Sequence, residues 1–540
     1  MTLSASDLEV MRQALTSVPE EMGVVLVRSA YSPNIKERHD ASCAVFDALG
    51  RMVAQAEHIP VHLGSMPLAV EGLLRLSPRL GPGDAWVVND PYAGGSHLPD
   101  ITVISPVVEG GGDVAGFVVN KAHHADVGGP TPGSMDPTAL ALDDEGVVIS
   151  MQPLAEGGRP AGPVWELLRA RSRTPDERMG DLRAQLAANA VGAARLAAFV
   201  GRYGRATWRA FCDEVIEYSR RRMEVALSGL VEGTYSASDV VEAPTPGPGE
   251  DEGVVVPRMH ELRINLAVSV ARGRARFDFA GTSPQVDAPL NAPLSVTLSA
   301  VYYALRAMTD PTIPPNHGCY SPVEVVCPRG SLLDPTPPRP VSAGNVETSQ
   351  RVADVCLLAL GQARPEGGLA MSQGTMNNVL IGTEGEGAFT FYETLGGGEG
   401  GSPWRRGMSG VHTHMTNTRN TPVEALEAAY PLRVRRLALR RGSGGVGRHP
   451  GGDGLVKEVE LLADAAVLTL VAERRAHRPR GADGGGDGAT GADAVVRDGR
   501  RIPLPSKCRA VLRRGDVVVV ETPGGGGWGA PTFDQDRSFQ

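Results

Sequence analysis

Residues 85–104 contain two β-prone runs, and the segment between them cannot continue either run as a regular strand. Residues 85–88 and 101–104 are apolar, whereas the twelve residues between them include two prolines and two glycines. Proline cannot donate to a strand ladder and glycine weakens one, so the chain must turn here. The predicted strand–loop–strand unit therefore displays ionisable side chains on a loop, where folded scaffolds usually carry functional groups.

A second polar stretch follows the β-prone run 114–120, which leads directly into Lys-Ala-His-His-Ala-Asp at residues 121–126. The pair His123 and His124 therefore follows a predicted strand. Adjacent residues of an extended chain point to opposite faces, so only one of the two can be a ligand if the strand continues regularly. The spacing leaves open which one.

These stretches offer the donors of a transition-metal site. His97 and Asp100 lie three residues apart and can both turn inward, and Asp40 stands at the start of an earlier predicted hairpin. A metal needs three or four such donors, and imidazole with carboxylate suits Zn, Mn or Fe better than Ca or Mg. We predict one divalent metal ion bound by four side chains: Asp40, His97, Asp100 and His123, with His124 as the alternative to His123.

The same residue types allow a plainer interpretation, because Asp and His in turns often cap backbone groups. Asp90, which precedes a proline, is better explained as a turn former, and Asp126 ranks below the four predicted ligands. His58 and His62 are four residues apart, but Pro60 lies between them and excludes a simple helical pair. A role beside the metal or substrate and a structural role in the core both remain open for these two histidines.

A further polar region begins at residues 392–401, where a predicted strand runs into a glycine-rich segment. Glycine lets backbone amides approach an anion or a carbonyl closely, so the amides of residues 396–401 could stabilise an oxyanion. His412 and His414 alternate onto one face of a predicted strand, which would also suit a metal. A buried polar network with a tight crossover explains the same residues without a ligand.

The chain is long enough to require more than one hydrophobic core, since it has 540 residues. The acidic, Pro/Gly-rich segment 242–253 lacks periodicity and is the best candidate for a boundary, and the Gly/Ala/Asp tract 481–494 is typical of a flexible loop. We predict an α+β multidomain fold with mixed sheets, helical segments and a mostly β C-terminal region. The predicted regions are an N-terminal α/β metal-site domain (1–245), a central α+β domain with the glycine-rich region (246–430) and a β-rich domain (431–540).

Hydrophobic periodicity predicts helices over 8–25, through most of 163–230, and over 293–308 and 351–363. In the first of these, Pro19 predicts either a kink or a break into two helices at Ser17.

Charge and hydropathy exclude several functional classes. The formal net charge of −9, from 53 Lys and Arg against 62 Asp and Glu, gives no reason to expect nucleic acid or an anionic membrane as a partner. No run is long enough to span a bilayer, the N-terminus shows no signal-peptide pattern, and six scattered cysteines fit a reducing compartment, so we expect a cytoplasmic protein. Neither a P-loop motif nor a G-x-S-x-G elbow occurs.

Taken together, several phrases resemble the hydantoinase B / 5-oxoprolinase family, which includes the B subunits of ATP-dependent N-methylhydantoinases and lactamases and related subunits of acetone and acetophenone carboxylases. The phrases run in order along essentially the whole chain. They are Arg-His-Asp at 38–40, Asn-Asp-Pro-Tyr through His-Leu-Pro-Asp at 89–100, Lys-Ala-His-His-Ala-Asp-Val-Gly-Gly at 121–129, Gly-Asn-Val-Glu-Thr-Ser-Gln at 344–350, Ser-Gln-Gly-Thr-Met-Asn-Asn at 372–378, the run 412–418, and Thr-Pro-Gly-Gly-Gly-Gly-Trp-Gly at 522–529.

The resemblance implies a metal site on Asp40, His97, Asp100 and one histidine of the pair 123–124, and the family pattern favours His123. It also implies a hetero-oligomer in which a separate hydantoinase A-type subunit binds and hydrolyses ATP, which agrees with the lack of a P-loop here.

The implied reaction is the opening of a lactam or cyclic imide ring. The A subunit would activate the carbonyl with ATP, and this chain would deliver a metal-activated water. The residues that would orient or deprotonate this water are His124, His58 and Asp126. One alternative is a subunit of an ATP-dependent ketone carboxylase of the acetone or acetophenone type, and another is a non-enzymatic scaffold for the A subunit. The sequence does not reveal the substrate.

Overall fold

The computed structural model describes residues 3–56, 59–245, 250–251, 253–255 and 258–531. Its helices are α1 (Ala5–Ser29), α2 (Pro33–Lys36), α3 (Ser65–Leu76), α4 (Val164–Arg171), α5 (Pro175–Tyr203), α6 (Arg205–Ser228), α7 (Leu294–Met308), α8 (His317–Tyr320), α9 (Ser349–Gln362) and α10 (Val423–Ala429). The predicted helices over 163–230, 293–308 and 351–363 are therefore confirmed.

The strands belong to four sheets. In chain order they are β1 (Ala41–Asp47), β2 (Met52–Ala56), β3 (Ala85–Val88), β4 (Asp100–Val108), β5 (Val114–His123), β6 (Gln152–Glu156), β7 (Arg159–Pro160), β8 (Gly233–Thr245), β9 (Glu250–Asp251), β10 (Val254–Val255), β11 (Arg258–Ala271), β12 (Arg274–Asp278), β13 (Val323–Val326), β14 (Asn378–Gly382), β15 (Thr390–Thr394), β16 (Leu432–Arg440), β17 (Gly454–Leu461), β18 (Ala465–Val471), β19 (Ala492–Arg497), β20 (Arg500–Leu504), β21 (Lys507–Arg513) and β22 (Val517–Glu521).

The N-terminal sheet has the order β2-β1-β5-β4-β3-β6-β7, and its described pairings are all antiparallel. Side chains alternate between its two faces, as the two-residue period of a strand requires. Cys43 and Val118 enter one core with α1, α5 and α6, whereas Phe46 and Val119 enter another with α3 and α7. The sheet is thus buried on both faces, so a polar side chain on it must find a partner or a ligand.

The other sheets build the rest of the fold. One has the order β13-β12-β11-β8, with β12 and β13 parallel, and packs against α9. Two further sheets have the orders β15-β14-β18-β21-β10-β9 and β16-β17-β22-β19-β20. They pack face to face through residues such as Ile381, Leu468, Val459 and Val518.

The α+β multidomain class with mixed sheets is confirmed. From Pro431 to Pro531 the described residues form strands and connecting segments without a helix, which agrees with the predicted β-rich C-terminal region. The division at residues 245 and 430 stays a prediction. Part of the predicted boundary segment 242–253, namely 246–249 and 252, lies outside the described residues. In the described part of the chain, no helix combines the length and apolarity required to cross a bilayer.

Four glycine-rich segments pack against one another and are called the glycine layer here: 396–401, 444–452, 481–491 and 523–529. Backbone hydrogen bonds join them, including Gly401 N to Gly526 O at 2.8 Å and Gly486 N to Val446 O at 2.7 Å. A Cβ on Gly398 would lie 2.0 Å from the carbonyl oxygen of Gly452, so only glycine permits this spacing. The prediction of a flexible loop over 481–494 is wrong, because most of this tract belongs to the glycine layer.

Candidate metal centre

Three strand ends of the N-terminal sheet meet at one edge. Asp40 directly precedes β1, Asp100 begins β4 and His123 ends β5. Asp100 and His123 are opposite each other in the antiparallel ladder, and the amide of His123 donates to the carbonyl of Asp40 at 3.0 Å. Asp40, Asp100 and His123 lie an even number of residues from Phe46, Ile104 and Val119 respectively, which enter the core with α3 and α7. Because side chains alternate between the two faces of a strand, all three positions face that core.

The loop before β4 is held by backbone contacts that aim its side chains at this edge. The side chain of Asn89 donates to the carbonyls of Leu98 (2.8 Å) and Val147 (2.9 Å). The amide of Asp100 donates to the carbonyl of His97 at 3.0 Å, which folds the two side chains toward each other. Asp90 accepts from the amide of Tyr92 at 2.9 Å and begins a short 3-10 helix, so it forms the turn that its place before proline suggested.

His97, Asp100 and His123 converge. One donor atom from each lies within 4.8 Å of the others, and Nε2 of His97 is 3.4 Å from Oδ1 of Asp100. All three side chains are buried. Among the described residues, neither ring nitrogen of His97 nor Nε2 of His123 has a hydrogen-bond partner. Buried imidazole nitrogens without partners, grouped around a carboxylate, fit a divalent metal ion because the ion would satisfy them.

The carboxylate of Asp40 is not part of the group of donor atoms that lie within 4.8 Å of one another, whereas His62 contacts Asp100. Burial raises the pKa of Asp40, and the charge of Asp100 adds to the rise while Arg38 opposes it. Nε2 of His62 lies 3.5 Å from Oδ2 of Asp100, and its Nδ1 lies 2.9 Å from Oγ of Ser42. His62 ends a 3-10 turn that begins at Pro60. The contact of His62 with Asp100 agrees with the role beside the metal that the sequence left open, although the turn that produces this contact was not predicted.

Protein groups fix the orientation of the candidate ligands. Oδ2 of Asp100 accepts from Oγ of Ser96 at 2.6 Å, and Ser96 in turn accepts from Nζ of the buried Lys121 at 3.0 Å. The side-chain nitrogen of Asn34 lies 2.9 Å from Nδ1 of His123 and donates to its carbonyl at 2.7 Å. The ring of Tyr392 stacks on His123 with centroids 4.8 Å apart. Contacts of this kind hold metal ligands in their binding orientation.

The ionisation of the cluster suits metal binding. Burial acts to raise the pKa of Asp100, but the nearby His97 and His62 outweigh it and hold this pKa well below its ordinary value. Burial, together with the neighbouring His97, lowers the pKa of His123 well below its ordinary value. An ionised carboxylate and a neutral imidazole are the forms that bind metals. Burial also lowers the pKa of Lys121 to about 8, although Asp100 acts to raise it.

The residues predicted to act on the water lie elsewhere. His124 points to the opposite face of the sheet, where its Nε2 is 3.0 Å from Oε1 of Gln185 on α5. Asp126 accepts from the guanidinium of Arg173 at 2.9 Å and from the amide of Gly128 at 3.0 Å. His58 lies outside the described residues. Their catalytic roles stay predictions, although the structure gives His124 and Asp126 hydrogen-bond partners outside the cluster.

The second polar region does not form a metal cluster in the described part of the chain. His412 and His414 do not lie in a regular strand, and Nε2 of His414 is 3.2 Å from Oδ1 of Asp354. The suggestion that the amides of 396–401 stabilise an oxyanion is wrong for the amides of residues 397–401. Each of these donates within the protein, Gly400 to Oγ of Ser372 and the others to backbone carbonyls.

A family model described as Hydantoinase B/oxoprolinase matches residues 4–531. The chain belongs to this family. Two relatives show how much of each protein the similarity covers. An uncharacterized protein of Methanocaldococcus jannaschii is 39% identical over 533 residues, which cover 98% of this chain and 91% of that protein. The 5-oxoprolinase 1 of Arabidopsis thaliana is 40% identical over 544 residues, which cover 97% of this chain but 42% of that protein. The chain therefore spans about two-fifths of the length of this 5-oxoprolinase.

Two solved structures share the fold. An ATP-dependent caprolactamase from Pseudomonas jessenii superposes with a TM-score of 0.89 at 27% identity, over 98% of this chain and 92% of that one. A nucleotide-free acetone carboxylase has a TM-score of 0.87 over 97% of this chain and 75% of that one. At 18% identity, the second likeness shows the fold alone.

Proposed function

We propose that this chain is the metal-binding, hydrolytic B-type subunit of an ATP-dependent cyclic amidase that opens a lactam or cyclic imide ring. The observation that carries the proposal is the convergence of His97, Asp100 and His123, with buried imidazole nitrogens that lack partners among the described residues. Similarity to a 5-oxoprolinase and to an ATP-dependent caprolactamase supports the substrate class.

The residues that would hold the ion are Asp40, His97, Asp100 and His123. A divalent ion bound there would lower the pKa of a bound water toward neutrality and so supply a nucleophile. Ser96 and Lys121 keep the carboxylate of Asp100 turned toward His97. Nε2 of His62 lies beside Asp100 without a hydrogen-bond partner among the described residues, so it can hold or accept a proton of the attacking water.

ATP is needed because amide resonance makes a ring carbonyl a poor electrophile. Phosphorylation of the carbonyl oxygen would convert it into an activated imidate, and water would then attack the ring carbon. This chain has no P-loop motif, so we assign ATP use to an A-type partner and expect a hetero-oligomer. The greater length of the 5-oxoprolinase relative is consistent with the two functions sharing one chain there.

A ketone carboxylase subunit is the second candidate, favoured by the shared fold with acetone carboxylase. In that reaction the same site would hold a ketone or its enolate for attack on activated CO2. Both candidates use one metal and an ATP-consuming partner, so products must separate them.

The test is co-expression of this chain with its A-type partner, followed by assays with ATP, lactams, hydantoins, and ketones with bicarbonate. We expect ATP-dependent formation of the ring-opened amino acid and no bicarbonate consumption. His97→Ala should abolish it, whereas His477→Ala should not, because His477 pairs at the surface with Glu261. Bicarbonate consumption with a ketone would favour the carboxylase. Full activity in His97→Ala would contradict the metal-centre proposal, and activity with neither substrate class would contradict the proposed function.

A further inference from the structure

His62 is a protonatable side chain that faces the metal centre without being one of its predicted ligands. Its Nε2 lies 3.5 Å from Oδ2 of Asp100, yet this nitrogen has no hydrogen-bond partner among the described residues. The other ring nitrogen is held, because Nδ1 lies 2.9 Å from Oγ of Ser42 on β1. One nitrogen is thus fixed to the protein, whereas the other is directed at the cluster.

The backbone around His62 holds this orientation. His62 ends the short 3-10 turn that begins at Pro60, and its carbonyl accepts from Oγ of Ser65 at 3.1 Å. The amide of the preceding Val61 donates to the carbonyl of Met415 at 3.3 Å. The side chain of His62 is buried, so a ligand inside the site, and not bulk solvent, is the partner that Nε2 can meet.

The contact with Ser42 permits proton transfer at Nε2. Oγ of Ser42 also accepts from the amide of Ile59 at 3.4 Å. A hydroxyl oxygen has two acceptor lone pairs, so Ser42 can accept the Nδ1 proton of His62 whether the imidazole is neutral or charged. Nε2 can therefore take up a proton and release it again while the ring stays in place. The histidine of a Ser-His-Asp site works in the same way.

Other protonatable groups at this edge of the sheet are already engaged in the part of the chain that the structure describes. Nζ of Lys121 donates to Oγ of Ser96 at 3.0 Å. His124 lies on the opposite face of the sheet, where its Nε2 is 3.0 Å from Oε1 of Gln185. The four predicted ligands are assigned to the ion. His62 is therefore the group best placed to exchange protons with a ring held at the metal centre.

The proposed ring opening requires protons at one particular atom. When water adds to the carbon of the phosphorylated imidate, one of its protons passes to the ring nitrogen, and the carbon then carries hydroxyl, phosphate and nitrogen. When the proton of this hydroxyl also reaches the ring nitrogen, the C–N bond breaks. The product is an acyl phosphate with a free amine, and a second water hydrolyses it to carboxylate and phosphate.

Without the second proton on nitrogen, phosphate leaves instead. The C–O bond to phosphate breaks, the hydroxyl loses its proton, and the intact ring amide forms again with an oxygen atom taken from water. ATP is then consumed without ring opening. Phosphate is a stable anion, whereas an unprotonated ring nitrogen would leave as a strong base, so a general acid decides between the two outcomes.

We propose that His62 is this general acid, and that its Nε2 carries the two protons of the attacking water in turn to the ring nitrogen. The inference rests on the proposed ring-opening function and adds to it a catalytic residue that couples ATP consumption to ring opening. Loss of His62 should therefore waste ATP on rings that close again, in addition to slowing the reaction.

The test uses this chain in complex with its A-type partner, with ATP, 2-pyrrolidinone and water labelled with ¹⁸O. The ratio of ATP consumed to ring opened is measured, and mass spectrometry gives the ¹⁸O content of the recovered 2-pyrrolidinone. In His62→Gln, ring opening should fall about 100-fold, as is usual for the loss of general acid–base catalysis. The ratio should rise about tenfold, and the recovered ring should gain ¹⁸O, because phosphate now leaves in place of nitrogen.

His97→Ala is the matched control, because it removes a predicted metal ligand and with it the attack of water. Activated ring that escapes into solution would label the recovered ring equally in both variants. The ¹⁸O content in His62→Gln should therefore exceed that in His97→Ala. His477→Gln, the same change at a surface histidine that pairs with Glu261, should behave as wild type.

Ser42→Ala covers the case in which His62→Gln fails to fold. It keeps the imidazole and removes only the hydroxyl that holds Nδ1, so the ratio of ATP consumed to ring opened should rise about threefold, as expected for the loss of a hydrogen bond. Elemental analysis gives a readout apart from activity. Both variants should retain the metal ion, since neither residue is a predicted ligand.

A ratio that is unchanged in both variants, or an ¹⁸O content in His62→Gln no higher than in His97→Ala, would overturn the role of His62 and leave the proposed function standing. Loss of the ion in His62→Gln would also overturn it, because His62 would then be a ligand. A wild-type complex that opens no ring would contradict the proposed function together with this inference.

Discussion

Asp100 is the residue through which the groups of the metal centre contact one another. Its Oδ1 faces His97, while its Oδ2 accepts from Ser96 and lies 3.5 Å from His62. It also pairs with His123 across the ladder. A buried carboxylate with this many polar neighbours stays ionised, which the low pKa of Asp100 reflects. The proposed chemistry depends on this one charge being held in place.

The first prediction concerns the choice between the two adjacent histidine positions. Wild-type protein should carry about one metal ion per chain by elemental analysis. His123→Ala and His97→Ala should each lose it, because each removes an imidazole that faces Asp100. His124→Ala should retain it, since His124 faces Gln185 on the other side of the sheet. Loss of the ion in His124→Ala but not in His123→Ala would reverse the assignment.

The second prediction concerns Ser96, which orients the carboxylate without touching the proposed ion. Ser96→Ala removes the 2.6 Å hydrogen bond to Asp100 and leaves Lys121 without this acceptor. Metal affinity, measured by competition with a chelating indicator, should fall about 10- to 100-fold, as is usual for such groups. Unchanged affinity would mean that the orientation of Asp100 is set elsewhere. Ser17→Ala, on the exposed surface of α1, is the matched control.

At this scale the sequence predicted what depends on local pattern. The position of His97 and Asp100 between two β-prone runs predicted that they come together on one loop. Strand alternation implied that only one of His123 and His124 faces the site. The position of His62 could not be predicted, because it depends on a 3-10 turn and on contacts across the sheet. The buried Lys121 had no signal either, since a lysine in a strand usually marks an exposed face.

Among the elements, α1 shows how packing outweighs a local break signal. Pro19 predicted a kink or a break at Ser17, and the break does not occur, because one helix runs from Ala5 to Ser29. Proline removes one hydrogen bond, but Leu15, Met22 and Leu26 are fully buried against the neighbouring elements. This burial stabilises the helix by more than one missing bond costs, at roughly 1.5–3 kcal/mol per large side chain.

The glycine layer gives the third prediction. Gly398→Ala would place a Cβ 2.0 Å from Gly452 O and 2.1 Å from Gly525 N, both backbone atoms that cannot move aside alone. The free energy of unfolding should fall by about 1–3 kcal/mol or more, measured by urea denaturation. Gly201→Ala on α5 is the matched control, because its Cβ would meet open space and alanine favours a helix. Equal stability of the two variants would contradict the close packing described here.

The amino-acid composition of these segments could not predict that they pack against one another. A Gly/Ala/Asp tract is compatible with a flexible linker, and only the partner segments, far away in the chain, reveal that it is packed. The same long-range contacts occupy the amides of residues 397–401, which local sequence had suggested were free for an oxyanion.

Across the whole molecule, buried charges join elements that are distant in sequence. Arg351 on α9 contacts Asp354, Asp239 and Glu473, and Lys507 on β21 contacts Glu473 at 2.6 Å. Glu347, in the π-helical turn before α9, accepts from the amide of Met376 and the side chain of Asn378. Burial raises the pKa of Glu347 to about 8, with the neighbouring Glu473 adding to the rise.

The fourth prediction follows from this pKa. Between pH 4.5 and about 8 the folded protein holds a proton on Glu347 that the unfolded chain has released, so stability falls as the pH rises through this window. Glu347→Gln removes that dependence. The variant should gain stability relative to wild type from pH 5 to pH 8, by at most about 1.4 kcal/mol per pH unit, in urea denaturation. A difference that is constant with pH would contradict it.

We propose that four side chains from three separate segments of the sequence bind one cation at the ends of neighbouring strands. The most direct test of this proposal is an anomalous difference map from a metal-saturated crystal, recorded at the absorption edge of the metal found by elemental analysis. We expect one dominant peak at about 2.0–2.3 Å from donor atoms of Asp40, His97, Asp100 and His123. A dominant peak between His412 and His414, or no peak at the strand ends, would contradict it.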